Sequence, residues 1–206
     1  TVDLPYSEKE LSDVFHGKKI ALADREFVES LKIVDEARKM DVCLLVYGSP
    51  LTATTHITLI QEAKASGVKY KMIYNASILD AIGETGLQIY KFGKVTSMPA
   101  WKKSYEPDSF MEVVKQNKSI KAHTLILVDI GLDFDVALKQ LEIAAEKHKI
   151  KLKDLIVCQA LGTKHKRIFF RTMEEYKEYT GVRKPYCFVI PGKLHFSEKE
   201  VLENYQ

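Results

Sequence analysis

The side chains best able to do chemistry in this 206-residue chain are six histidines, three cysteines and two closely spaced aspartates. His16, His56, His123, His148, His165 and His195 titrate near neutrality, but they are scattered, with no two at metal-ligand spacing. Isolated in this way, each reads first as a hydrogen-bonded structural residue. His165 lies in the basic run Lys164-His165-Lys166-Arg167, which reads as a solvated turn or as a contact for an acidic partner. Asp133 and Asp135 fit solvated carboxylates at a helix start better than an acid–base pair. Cys43, Cys158 and Cys187 are far apart, form no CxxC pair and each sit inside an apolar run. They read as buried free thiols in a reducing cytosol, not as a zinc site or a redox motif. No GxGxxG fingerprint, Walker loop, GxSxG elbow or HExxH pair occurs. That absence disfavours hydrolases and points to chemistry that depends on positioning more than on a proton shuttle.

Positioning falls to the elements, and the stretch Val42 to His56 organises them. Val42 to Tyr47 is an unbroken apolar and aromatic run, too short for a helix, which predicts a strand buried on both faces of a parallel sheet. Gly48-Ser49-Pro50 stops it, since proline cannot donate to a ladder. Thr54 to Lys64 then has helical spacing with a threonine available as N-cap. A strand end feeding a helix through a short polar loop is where open α/β sheets bind ligands.

The rest of the first half repeats this rhythm. Helices are expected over Tyr6–Phe15, capped by Ser7 and stopped by Gly17, over Glu26–Arg38, over Ile78–Ile82 with Ser77 as cap, and over Asp108–Asn117. Strands are expected at Lys19–Ala23, Tyr70–Tyr74 and Leu125–Ile130, strand or extended chain at Leu87–Phe92, with Val95 to Pro107 an irregular connection. The second half has a strongly periodic helix from Phe134 to His148, then strands at Leu155–Cys158, Arg167–Phe170 and Tyr186–Ile190 with less helix between them. Short helices fill Met173–Tyr179 and Glu198–Tyr205, and some antiparallel pairing follows. The expectation is an α/β protein of two α/β domains, 1–118 with a mostly parallel sheet and 119–206 with a mixed one.

Composition agrees with a soluble globular chain: 46% hydrophobic, 29% charged, net charge +3. The mild charge gives no argument for nucleic acid or a membrane surface, and no apolar run nears the roughly 20 residues that span a bilayer. Neither end looks like a signal or transit peptide.

Four blocks carry a resemblance. GSPLTATTH at 48–56, YNASILDAIGETGLQIYKFG at 74–93, HTLILVDI at 123–130 and VIPGKLHF at 189–196 resemble the diphthine synthase family, of the tetrapyrrole-methylase-like methyltransferases. The tract with Met98-Pro99, Trp101, Pro107 and Ser109-Phe110 follows the same pattern. The resemblance implies two α/β domains with S-adenosyl-L-methionine folded into the cleft between them and no glycine-rich loop. It implies methylation of the 3-carboxy-3-aminopropyl group on a modified histidine of translation elongation factor 2 in diphthamide biosynthesis. S-adenosyl-L-homocysteine would be the product, with no metal, and the protein would be a cytoplasmic homodimer. A tetrapyrrole methyltransferase of the same fold, or a degenerate relative that binds the factor without methylating it, are the alternatives.

Carried over by position, the cofactor contacts fall on Ser49, Thr52, Ser77, Ile78, Val128, Phe170 and His195. No residue is assigned as catalytic. Core packing is the competing reading for Ile78, Val128 and Phe170. Three departures stand out. The family usually has aspartate where this chain has Ser49, and its arginine- and alanine-containing loop after the Leu155 strand is replaced by Gln159-Ala160-Leu161-Gly162. It also opens with a strand and a Gly-Leu-Gly-type loop, a βα unit of about 30–40 residues not found at the start of this sequence.

Overall fold

The computed structural model describes residues 4–206. The chain forms two compact units, divided between Asp80 and Ala81. This division precedes residues 118 and 119, where the sequence changes rhythm.

The first unit is helical with long extended connections. Helix α1, Glu8–Val14, opens with a capping box in which Ser7 and Glu10 satisfy each other's backbone N–H groups, and Gly17 follows at φ +69°. The helix expected over 26–38 is two, α2 (Arg25–Glu29) and α3 (Lys32–Ala37). Leu31 between them takes the left-handed conformation at φ 61°, which a right-handed helix cannot run through. Helix α4, Ile57–Ala65, begins later than expected, with His56 and not a threonine at its N-cap. Helix α5, Ile78–Ala81, runs into a 3-10 turn at Ile82–Thr85.

The strands expected at 19–23, 42–47 and 70–74 are not formed: among the described residues no strand precedes Thr96. An apolar run records a preference for burial, whereas a strand exists only where a neighbouring backbone completes its ladder. Val42, Leu45 and Ile73 are accordingly exposed, and so is Cys43, which corrects its reading as a buried thiol.

The second unit holds a mixed five-stranded sheet. Its elements are β1 (Thr96–Met98), α6 (Phe110–Ser119), β2 (Thr124–Val128), α7 (Phe134–Lys147), β3 (Asp154–Gln159), β4 (Arg167–Thr172), α8 (Met173–Lys177), β5 (Tyr186–Ile190) and α9 (Phe196–Glu203). The order across the sheet is β1-β2-β5-β3-β4, with β1 parallel to β2 and the other pairs antiparallel. Strand β1 lies in the tract expected to be irregular, and Leu87–Phe92, expected as strand or extended chain, contains a 3-10 turn at Ile89–Lys91.

Burial explains the order. Leu155, Ile156, Val157 and Cys158 of β3 are all buried, as the unbroken apolar run requires of an interior strand. Helix α7 buries Phe134, Ala137, Leu138, Leu141, Ala144 and Ala145 at helical spacing, and Phe134 meets Tyr176, Tyr186 and Phe188 edge-on at ring distances of 5.7, 5.7 and 6.1 Å. Tyr176, fully buried, donates its hydroxyl to the Phe169 carbonyl at 2.9 Å, which keeps the ring inside without an orphaned polar atom. Cys158 and Cys187 face each other across β3 and β5. The hydrogen bond between them and burial push the Cys158 thiol up, which leaves it inert.

Asn117 at the end of α6 closes the entry to the sheet. Its amide accepts from the Lys94 N–H at 3.0 Å and donates to the Lys94 carbonyl at 2.8 Å and to Thr124 Oγ1 at 3.0 Å. A Cβ on Gly93 would collide with that amide, so the glycine and the asparagine are one device. Asn117→Ala is expected to lower the unfolding free energy by about 1–3 kcal/mol through the orphaned Lys94 groups. Denaturant unfolding with an unchanged midpoint would refute that role.

Candidate functional site

In the first unit, two loops, 48–56 and 75–77, follow the stretches 42–47 and 70–74. Gly48 turns the chain at φ +91°, a conformation that favours glycine, and a Cβ there would be in ordinary contact, 3.6 Å, with the Ala76 carbonyl oxygen of the second loop. Ser49 and Thr52 follow, both half-buried. The loop is closed by His56, whose Nδ1 lies 2.9 Å from the Pro50 carbonyl, so this buried histidine is a strut and not a catalyst.

The second loop ends in Ser77. Its N–H and hydroxyl both donate to Asp80 Oδ2, at 2.8 and 2.7 Å, while its Oγ accepts from the Leu79 N–H at 3.1 Å. The expected cap is therefore present, and Ile78 begins α5 half-buried beside it. The Ser77 N–H first, and its hydroxyl second, hold the exposed Asp80 carboxyl below its ordinary range. Asp80 thus stays anionic at neutral pH on the same turn as Ser77. Reading the sequence for contacts overlooked it, although the Ser-x-x-Asp spacing marks a capping box.

The other three positions belong to the second unit. Val128 ends β2 opposite Met98, half-buried against the core. Phe170 lies on β4, where its N–H donates to the Tyr205 carbonyl at 2.8 Å. His195 is the N-cap of α9, its Nδ1 2.8 Å from Ser197 Oγ and its ring 4.2 Å from that of Phe196.

His195 is presented by a buried ionic knot that the sequence does not announce. Glu198, fully buried, accepts from the His195 N–H at 2.7 Å, the Gln88 N–H at 2.9 Å, His123 Nε2 at 3.2 Å and Lys91 Nζ. Burial alone would raise this carboxyl; the His195 N–H, Lys91, the Gln88 N–H and His123 together bring it down to about 2. His123 Nδ1 accepts from the Gly192 N–H at 2.8 Å, so its proton sits on Nε2 and the ring is neutral. Burial lowers the His123 pKa, against the pull of Glu198. Lys91 also donates to the Lys193 carbonyl at 2.8 Å, and the Lys193 N–H donates to the Lys121 carbonyl at 3.1 Å. The loop from Gly192 to His195 is thus fastened at both ends and in the middle. Only glycine fits at 192, where a Cβ would lie 2.6 Å from the Ala122 carbonyl carbon.

Elsewhere, the basic run is partly neutralised, Lys166 pairing with Glu84, and Asp133 at the start of α7 pairs with Lys184 at 3.1 Å. Among the described residues no group of three or more His, Cys, Asp or Glu could hold a metal ion, and no helix is long and apolar enough to cross a membrane.

Comparison with known proteins gives this geometry its context. Residues 4–177 match the family model of the tetrapyrrole (corrin/porphyrin) methylases. The chain is 35% identical over 201 residues to the diphthine synthase of Methanocaldococcus jannaschii, covering 91% of this chain and 78% of the relative. It is 45% identical over 125 residues to the diphthine methyl ester synthase of Schizosaccharomyces pombe, covering 60% and 44%. A crystal structure of a diphthine synthase superimposes with a TM-score of 0.79 at 30% identity, over 97% of this chain and 80% of that one. The chain belongs to the tetrapyrrole methylase family and, within it, to the diphthine synthases.

Proposed function

We propose that this chain is an S-adenosyl-L-methionine-dependent methyltransferase acting on the 3-carboxy-3-aminopropyl-histidine of translation elongation factor 2, a step of diphthamide biosynthesis. The observation that carries the reading is the extent of likeness to diphthine synthases, 35% identity over 91% of the chain. A cytoplasmic homodimer completes the proposal.

The donor set fits the cofactor. Ser49 and Thr52 bring hydroxyls suited to a carboxylate and a ribose, while Asp80 brings an anion suited to a cationic ligand. Ser49, Thr52, Ser77, Ile78, Val128, Phe170 and His195 are the proposed contacts. When bound, S-adenosyl-L-methionine would supply an electrophilic methyl on a sulfonium, with the neutral thioether as leaving group. The protein's part is to hold a neutral amine in line with that methyl, and positioning of this kind is worth roughly 7–11 kcal/mol. The amine can lose its proton to water, so no side chain is needed as a base. Ser49 favours one second reading, a relative that binds the factor without methylating it, because the family's aspartate is missing there.

Calorimetric titration with S-adenosyl-L-homocysteine tests both. Micromolar binding is expected, with Ser49→Asp tightening it by about 1–2 kcal/mol, the value of a charge-assisted hydrogen bond. Loss of binding in both proteins, with binding of the factor retained, would replace the enzyme by the docking module.

A further inference from the structure

We propose that the face built from residues 89–95, 120–123 and 192–199 is where the protein substrate docks, through an acidic surface of that partner. This rests on the methyltransferase reading above and names the part of the chain that selects the substrate. The three segments form one surface: the Gly93 N–H donates to the His123 carbonyl at 2.9 Å, Lys193 binds the Lys121 carbonyl, and Lys91 binds both Lys193 and Glu198.

What that surface exposes is unusual. Tyr90 is 80% exposed, Phe196 74%, Ile120 70% and Ile89 53%, although hydrogen bonds clamp all three segments in place. Large side chains held out in a rigid frame cost solvation unless something covers them. Within the three segments the exposed charge is of one sign; Glu200 and Glu203 follow on α9 beyond them. Lys94, Lys121, Lys193 and Lys199 are exposed and make no ion pair among the described residues, and the single carboxylate of these segments, Glu198, is buried. Four lysines here against a net +3 for the whole chain concentrate positive potential on this face. An apolar centre with a basic rim complements a partner whose own patch has an acidic rim. His195, a proposed cofactor contact, is exposed on the same surface, so a partner seated here meets that residue directly.

The residue types favour a protein over a nucleic acid. Tyr90 and Phe196 have rings that can stack on bases, but Ile89 and Ile120 between them have none, and none of the three segments contains an arginine, the side chain that forks onto phosphates and guanines.

The test uses the full chain, elongation factor 2 bearing the unmethylated 3-carboxy-3-aminopropyl-histidine, and the double variant Lys121→Glu/Lys193→Glu. Lys139→Glu, exposed on α7, is the control. For the double variant KM for the factor is expected to rise about tenfold, with kcat within about twofold and S-adenosyl-L-homocysteine affinity unchanged. Tyr90→Ala should raise KM as well, and added salt should weaken the wild type more than the double variant. An unchanged KM overturns the proposal. So does a dimer that falls apart by light scattering in the double variant, which would make the face an interface between copies, or a short RNA that competes with the factor. A wild-type chain that binds the factor through these lysines yet transfers no methyl would refute the enzyme reading and leave the docking face standing.

Discussion

Replacing Glu198 by alanine is expected to lower the free energy of unfolding by about 3–5 kcal/mol, the range for breaking a buried ion pair from one side. The carboxylate has no water to replace: it is fully buried and satisfied by Lys91, His123 and the N–H groups of Gln88 and His195. Its removal leaves an imidazole N–H and two backbone donors without an acceptor and takes the counter-charge from Lys91, which keeps only the Lys193 carbonyl. Glu198→Gln keeps the volume and part of the bonding but not the charge, so it should fall between alanine and wild type. Urea unfolding of the three proteins orders them; an alanine variant within about 1 kcal/mol of wild type would show that the knot is not stabilising.

The same group sets a pH dependence whose sign can be stated. The Glu198 carboxyl is brought from 4.5 to about 2 in the folded chain. A lowered acid contributes stability that is fully present above its unfolded value and is lost as pH falls toward the folded one, here between about 4.5 and 2. A shift of that size is worth about 3 kcal/mol. His123 acts in the same direction higher up: its folded pKa lies below 6.5, so its contribution is complete above that value and declines as pH falls below it. The stability gap between wild type and Glu198→Gln should therefore be constant near neutrality and close in acid. A gap that persists unchanged at pH 2 would contradict the assignment.

These residues also mark how far the sequence could be read. The second unit was legible because its elements carry their own signals: α7 repeats apolar residues at helical spacing, and the β3 run is apolar on both faces. In the first unit the helices are legible and the strands are not, because Val42–Tyr47 specifies what it would bury and not what pairs with it. The blocks that carried the family resemblance contain Lys91, His123 and Gly192 of the ionic knot, and Glu198 lies two residues past the last of them. Lys91, His123, Gly192 and Glu198 lie on three distant stretches, and no spacing rule links residues 107 apart in the chain. Ser77 and His195 stand out in sequence as isolated polar residues at element starts, yet the groups that fix them, Asp80 and Glu198, are visible only as helix-cap partners three positions on.

Gly192→Ala tests whether that fastening matters for binding as well as for stability. The added Cβ would lie 2.6 Å from both the carbonyl carbon and the oxygen of Ala122, and closer still to the Lys121 carbonyl. All three are backbone atoms, so no rotamer change relieves the clash, and the loop from Gly192 to His195 must move off its seat. Moving it breaks the Gly192 N–H bond to His123 and shifts the N-cap of α9. Overpacking of this kind costs about 1–3 kcal/mol. If His195 contacts the cofactor, the displaced loop should also weaken S-adenosyl-L-homocysteine binding by about tenfold, equivalent to about 1.4 kcal/mol. Gly83→Ala is the matched control, because a Cβ there meets nothing within 4 Å; it should leave affinity unchanged and move stability by no more than about 0.5 kcal/mol. Loss of stability without loss of affinity would separate the knot from the cofactor and confine it to folding. Loss of both, with Gly83→Ala unaffected, would tie the presentation of His195 to the Lys91–Glu198–His123 frame beneath it.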